Sequence, residues 1–86
     1  MSFEREIAMS RIEQYENVFA STFNIPREEL KNLKYQDIQA WDSVGHMSLI
    51  AALEKSFGVT LDTDDIIDFS SFEKGKDILK KYGVEL

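Results

Sequence analysis

The sequence predicts an all-α fold, a four-helix bundle in the order long helix, long loop, helix, short helix, helix. Three observations lead there. Apolar residues recur at helical spacing in four stretches of the 86 residues, capping residues and glycines punctuate those stretches, and no segment alternates like a half-buried strand. From Phe3 to Phe23 there is no Gly or Pro. Ala8, Ile12, Tyr15, Phe19 and Phe23 form one stripe there, widened by Ile7 and Val18, while Glu6, Arg11, Glu13 and Glu16 fall off it. The spacing predicts a long amphipathic helix ending near Asn24-Ile25-Pro26, because Pro26 disfavours helical geometry in the residue before it. Between residues 26 and 42, Leu30, Leu33, Tyr35, Ile38 and Trp41 recur every two or three residues, a pattern of neither strand nor long helix, with a short helical turn over 27–32. This reads as a long loop pinned by its apolar residues, and a loop of that length inside a small domain tends to be functional.

Asp42-Ser43 opens a second helix, whose stripe is read as Val44, Met47, Ile50, Leu53 and Phe57, with Gly58 as its stop. Asp62 to Ile67 reads as a short third helix with its acids at the N-terminus, where the helix dipole favours them. Ser70 and Glu73 have the spacing of a capping box and open a fourth helix carrying Ile78, Leu79 and Tyr82. Lys80 and Lys81 stand near its end and Gly83 stops it.

Composition narrows the function. Length predicts one domain over residues 1–86 with a modest core, and 43% apolar with 12% aromatic residues is enough to build it. No Cys and a single His exclude a disulfide and any Cys- or His-rich metal site. The net charge of −6 argues against binding nucleic acid or an anionic membrane. Met1 to Glu6 lacks the basic and apolar regions of a signal peptide, and no apolar run is long enough for membrane insertion, so a cytoplasmic location is expected.

Enzyme chemistry finds little footing. Ser43 and His46 share a helix face, but a Ser–His nucleophile also needs an orienting group, an oxyanion hole and a pocket. Asp42 points about 100° away from Ser43 on a helix, and His46 reads as a surface residue. An EF-hand register from Asp62 places Ile66 and Ile67 where a ligand and the turn glycine belong, so no calcium loop is present. The four glycines are scattered singly, which excludes a phosphate-cradling loop. The second helix has only Lys55 as a base, too little for a DNA-reading helix.

Trp41-Asp42-Ser43-Val44 remains. Its ordinary explanation is capping: Asp is a favoured N-cap and Ser is tolerated in the first turn. The more specific reading is a Ser hydroxyl presented at an exposed helix start, where a phosphodiester would meet the positive end of the helix and Gly45 keeps bulk away. In its surroundings the motif resembles the acyl carrier protein family over essentially the whole chain. The matching parts are Asp42-Ser43-Val44 after a long loop, Leu53-Glu54, Phe57-Gly58, the acidic third helix from Asp62 to Asp68, and Ser70-Ser71 before the fourth helix.

The resemblance implies a bundle of the acyl carrier type and a stand-alone carrier that catalyses nothing itself. Ser43 would accept 4′-phosphopantetheine from coenzyme A through a phosphodiester bond, with Asp42 presented to the holo-carrier-protein synthase (a phosphopantetheinyl transferase using magnesium). The attached thiol would carry acyl groups as thioesters, loaded by an acyl- or aminoacyl-activating ligase and passed to an acyltransferase or synthase. Met47, Ile50, Ile66 and Ile67 are read as lining a cargo groove between the second and third helices, against the alternative of plain core packing. Trp41, Val44, His46 and Glu54 are read as partner-docking residues, with Trp41 alternatively anchoring the long loop. Such carriers are usually monomers.

The sequence departs from carriers of bulk fatty acid synthesis, which usually place acids two and five positions after the serine. Here Gly45 and Ser48 stand there, which implies a specialised lipid or secondary-metabolite pathway, since charge steers partner choice more than fold. On that reading, Gly45→Asp with Ser48→Glu is expected to improve service to fatty-acid-synthase partners. The Trp-Asp-Ser start is also similar to D-alanyl and aminoacyl carriers. Outside the family stands an unmodified acidic helical interaction module, because residues 42–86 hold nine acidic and five basic residues.

Overall fold

The computed structural model describes residues 10–86. Among them are four α-helices and a single antiparallel bridge between Lys34 and Ser71 in place of any strand, so the all-α expectation is met. No described helix is long and apolar enough to cross a membrane.

Helix α1 spans Arg11–Phe23. Ser10 is its N-cap in extended geometry, accepting from the Glu13 backbone N–H while the Glu13 carboxylate accepts from the Ser10 N–H. That capping box corrects the reading of one uninterrupted helix from Phe3, because Ser10 at ψ 164° cannot continue a helix. Ile7 and Ala8, assigned to the same stripe, lie outside the described residues. The helix ends where the stripe predicts, at Phe23, and Asn24 takes the left-handed conformation (φ 55°) with its N–H on the Ala20 carbonyl.

A 3-10 turn, Arg27–Glu29, opens the connection to helix α2 (Ser43–Phe57). The connection is tied down as the apolar spacing predicts. Leu30, Leu33 and Trp41 are buried, and Tyr35 and Ile38 pack against the core. Backbone bonds join it to the start of the fourth helix, Tyr35 N–H to the Ser70 carbonyl and Phe72 N–H to the Leu33 carbonyl, both 2.9 Å. Helix α3 is Thr63–Asp68 and helix α4 is Phe72–Lys80. The cap of α4 is Ser71, bonding the Lys74 N–H, so the Ser70–Glu73 box is displaced by one residue and has no acidic partner. Tyr82 lies just past α4, and Gly83 (φ 84°) follows.

The stripe of α2 needs a larger correction. Its buried residues are Leu49, Ile50 and Leu53, whereas Val44 and Met47 are 76% and 54% exposed. The inward seam therefore runs His46, Leu49/Ile50, Leu53, Phe57, rotated by one position from the predicted stripe in the first turns.

The core is an aromatic stack along α1. Tyr15, Phe19 and Phe23 meet Phe72, Phe69 and Trp41, with ring centroids 4.9–6.2 Å apart and mostly edge-on. Such pairs contribute about 0.5–1.5 kcal/mol each beyond their burial. Gly75 lets α4 reach this stack: a Cβ there would fall 2.2 Å from the Phe69 ring and 2.3 Å from the Tyr15 hydroxyl. Tyr15 is completely buried, and its hydroxyl donates to the Phe72 carbonyl at 2.7 Å. Burial, seconded by the charges of Glu73 and Asp77, pushes its ionisation far above the ordinary phenol range. The unfolded chain loses that proton near pH ~10 while the folded chain keeps it. The Tyr15 contribution is therefore complete below about pH 10 and declines as pH rises further. Tyr15→Phe is expected to lose about 1 kcal/mol at neutral pH, the net worth of the buried bond to the Phe72 carbonyl. Its unfolding free energy, measured by urea titration, should fall less steeply above pH ~10 than that of the unsubstituted protein.

Candidate functional site

The start of α2 is built by the end of the long loop. Trp41 is completely buried, stacked on Phe23 at 5.3 Å and edge-on to Phe19 at 5.6 Å. Its backbone N–H donates to Ile38 and its carbonyl accepts from Gln36, closing the turn that enters the helix. Asp42 follows as N-cap, one carboxylate oxygen accepting from the Gly45 N–H at 2.8 Å and its carbonyl accepting from the His46 N–H. Ser43 is thereby the first helical residue and is exposed. Its Oγ lies 3.5 Å from the Tyr35 hydroxyl, well beyond the 2.7–2.8 Å of a strong hydroxyl pair, so Ser43 stays available for chemistry.

An apolar groove of about 390 Å³ opens beside it, between α2 and α3. Ser43, His46 and Met47 form one wall, Ile66, Ile67 and Phe69 the other, with Tyr35 and Ser70 completing it. Three of the four predicted groove residues thus come together around Ser43. Ile50 does not, because it is 1% exposed in the core seam of α2. Tyr35, Phe69 and Ser70 were not read as groove residues: they come from the loop and from the segment after α3, and helical spacing cannot place such residues.

The expected docking residues separate. Val44 stands free on the surface. Trp41, with no exposed surface, can offer a partner nothing; it anchors the loop. His46 is not the surface residue expected. Its Nδ1 accepts from the Trp41 indole N–H at 2.9 Å, which leaves Nε2–H to donate to the Ile66 carbonyl at 2.8 Å. The signal was its place three and four residues before Leu49 and Ile50, on the inward seam. Glu54 is half-buried, and its carboxylate accepts from the Leu61 N–H, shaping the turn between α2 and α3.

Gly45 is a packing necessity. A Cβ there would lie 1.8 Å from the Ala40 carbonyl oxygen, because burying Trp41 draws the loop backbone onto the helix. The acid proposed at Gly45 would therefore have to displace the Ala40 carbonyl, whereas Ser48 is exposed.

Helix α3 is held at its other end by Asp65, whose carboxylate accepts from Lys81 Nζ and, at 2.6 Å, from the Tyr82 hydroxyl; that hydroxyl in turn accepts from the Asp62 N–H. The bonds from Lys81 and Tyr82 hold the Asp65 carboxyl below the usual carboxylate range and outweigh its partial burial, which pushes the other way.

The chain matches no protein-family model, no curated protein and no solved structure.

Two outcomes are expected. Gly45→Ala gains up to about 1 kcal/mol of helix propensity but must displace loop backbone, which costs about 1–3 kcal/mol or more. Its midpoint of unfolding by urea should therefore fall, whereas Ser48→Ala should leave it nearly unchanged. Asp65 acts with the opposite sign to Tyr15. Its folded-state ionisation lies below the unfolded value of about 3.9, so its contribution is present above about pH 4 and is lost as pH falls through the folded value. Asp65→Asn should flatten the acid limb of the stability profile below about pH 4, read by denaturant titration at a series of pH values.

Proposed function

We propose that this chain is a carrier protein of the acyl carrier type, which holds acyl groups as thioesters on a 4′-phosphopantetheine arm attached to Ser43. One observation carries the reading: the exposed Ser43 hydroxyl stands at the first position of α2, next to the capping Asp42, at the edge of an apolar groove that begins with Ser43 itself. A serine in the first turn of a helix needs no groove, and a lipid-binding groove needs no presented hydroxyl. Their meeting at one residue is what a tethered apolar cargo requires.

The residues fit the group. Ser43 Oγ gives up its proton and forms a new P–O bond, displacing adenosine 3′,5′-bisphosphate from coenzyme A under the action of a phosphopantetheinyl transferase. The resulting phosphodiester lies at the positive end of α2, where the first-turn N–H groups and dipole favour a negative charge. Asp42 fixes the helix start and so the direction in which Ser43 points. When bound, the arm supplies a thiol that the chain, with no Cys, does not provide. Met47, Ile66, Ile67 and Phe69 then offer apolar cover that keeps water from the acyl chain. Acyl cargo is favoured over aminoacyl cargo because those four side chains place no charge in the groove.

Incubation with coenzyme A and a broad-specificity phosphopantetheinyl transferase should add one phosphopantetheine to the intact mass, and Ser43→Ala should abolish the gain. No gain with several transferases rejects the carrier reading in favour of an acidic helical interaction module. Charging of the holo-protein by D-alanine in preference to fatty acyl groups would assign it to the aminoacyl carriers instead.

A further inference from the structure

Helix α3 is a wall with little stability of its own. It has six residues, its N-cap Asp62 makes no side-chain cap bond, and a helix so short does not stand alone in water. Two ties hold it. At its N-terminal side Asp65 and Asp62 bond the residues after α4. At its C-terminal side the Ile66 carbonyl, otherwise met only by the Phe69 N–H at 3.3 Å, accepts from His46 Nε2 at 2.8 Å. The His46 ring cannot turn away freely, because the Trp41 indole donates to its other nitrogen and the two rings stack at 16°. Trp41 is completely buried, so the bond chain runs from the core, through His46, to α3.

His46 also stands inside the groove, bordered by the Tyr35 and Phe69 rings at 5.5 and 6.1 Å. We infer that His46 is the latch of the groove: its bond to the Ile66 carbonyl fixes the spacing of α2 and α3, and an apolar chain that outgrows the closed groove must break that bond. His46 is thus a positioning residue that sets the length of cargo the protein shelters. For the identity of the cargo this rests on the carrier reading; the latch itself rests on the geometry alone.

Two substitutions divide the bond chain. His46→Asn keeps an acceptor near Nδ1 for the Trp41 indole but does not reach α3. His46→Gln puts an amide N–H near Nε2 and restores the tie to Ile66. In nitrogen-15 spectra of the unloaded protein, the amides of Ile66 and Phe69 should exchange roughly fivefold faster in His46→Asn than in the unsubstituted protein, the effect of one net hydrogen bond. His46→Gln should recover most of that protection, and the single Trp41 indole signal should stay in place in His46→Asn. Protein loaded with butyryl, octanoyl or dodecanoyl phosphopantetheine, each verified by intact mass, extends the test. With the native latch, protection of the α3 amides should persist for the short chain and drop for the long one; in His46→Asn it should be low and independent of length. Equal protection and equal length response in His46→Asn and His46→Gln overturns the latch. Failure to load overturns the carrier reading instead, and the same spectra with free butyrate, octanoate and dodecanoate then decide the latch.

Discussion

Burial of the Trp41 indole is the interaction on which the rest of the site depends. Removing an indole from a core costs about 3–5 kcal/mol, a large part of the stability of a small domain. The ring lies against Phe19 and Phe23 of α1, and its chain neighbours are committed by that position. The next residue, Asp42, arrives in extended geometry at the start of α2, and Ser43 becomes the first helical residue. The preceding residue, Ala40, brings its carbonyl onto Gly45. The indole N–H selects the acceptor nitrogen of His46 and so gives Nε2 its proton for α3. One buried side chain thereby determines where the hydroxyl is presented and how one wall of the groove is held.

The long connection before it survives by the density of its anchors. Ordering a residue costs about 1–2 kcal/mol of backbone entropy, and burying a large apolar side chain returns about 1.5–3 kcal/mol. An anchor at every second or third residue, with hydrogen bonds to the segment before α4, is therefore near the minimum that keeps such a chain ordered. Leu30, Leu33, Tyr35, Ile38 and Trp41 have that spacing. The two backbone bonds that straddle Lys34 and Ser71 add fixed points without forming a sheet.

Helix existence and order are legible because α1, α2 and α4 each carry a periodic face and a local stop, Asn24, Gly58 and Gly83, while α3 shows itself by acids at its start. Boundaries are less so. Ser10 with Glu13 and Ser71 with Lys74 differ from competing starts only in side-chain bonds that spacing alone does not choose between. The facing of α2 escapes a count of apolar residues alone. Val44 and Met47 are apolar yet exposed, while a histidine takes the inward position, its two nitrogens satisfied by partners five and twenty residues away. A polar residue on a core seam is invisible to hydrophobic periodicity and tolerable only when both its polar atoms are paired. Likewise the tie from Asp65 to Lys81 and Tyr82 joins residues that no helical period relates.

The same packing accounts for where the negative charge stands. With the Ala40 carbonyl seated on Gly45, a side chain two residues after Ser43 must displace loop backbone, so an acid at that place carries a packing cost. Across the groove no such constraint applies. Asp62, Asp64 and Asp68 are exposed on and beside α3, next to the exposed Ile67. The surface around the groove is therefore apolar on the α2 side, at Val44 and Met47, and acidic on the α3 side. Loop packing thus leaves the acidic charge beside the groove to the α3 wall, the wall that His46 ties to α2.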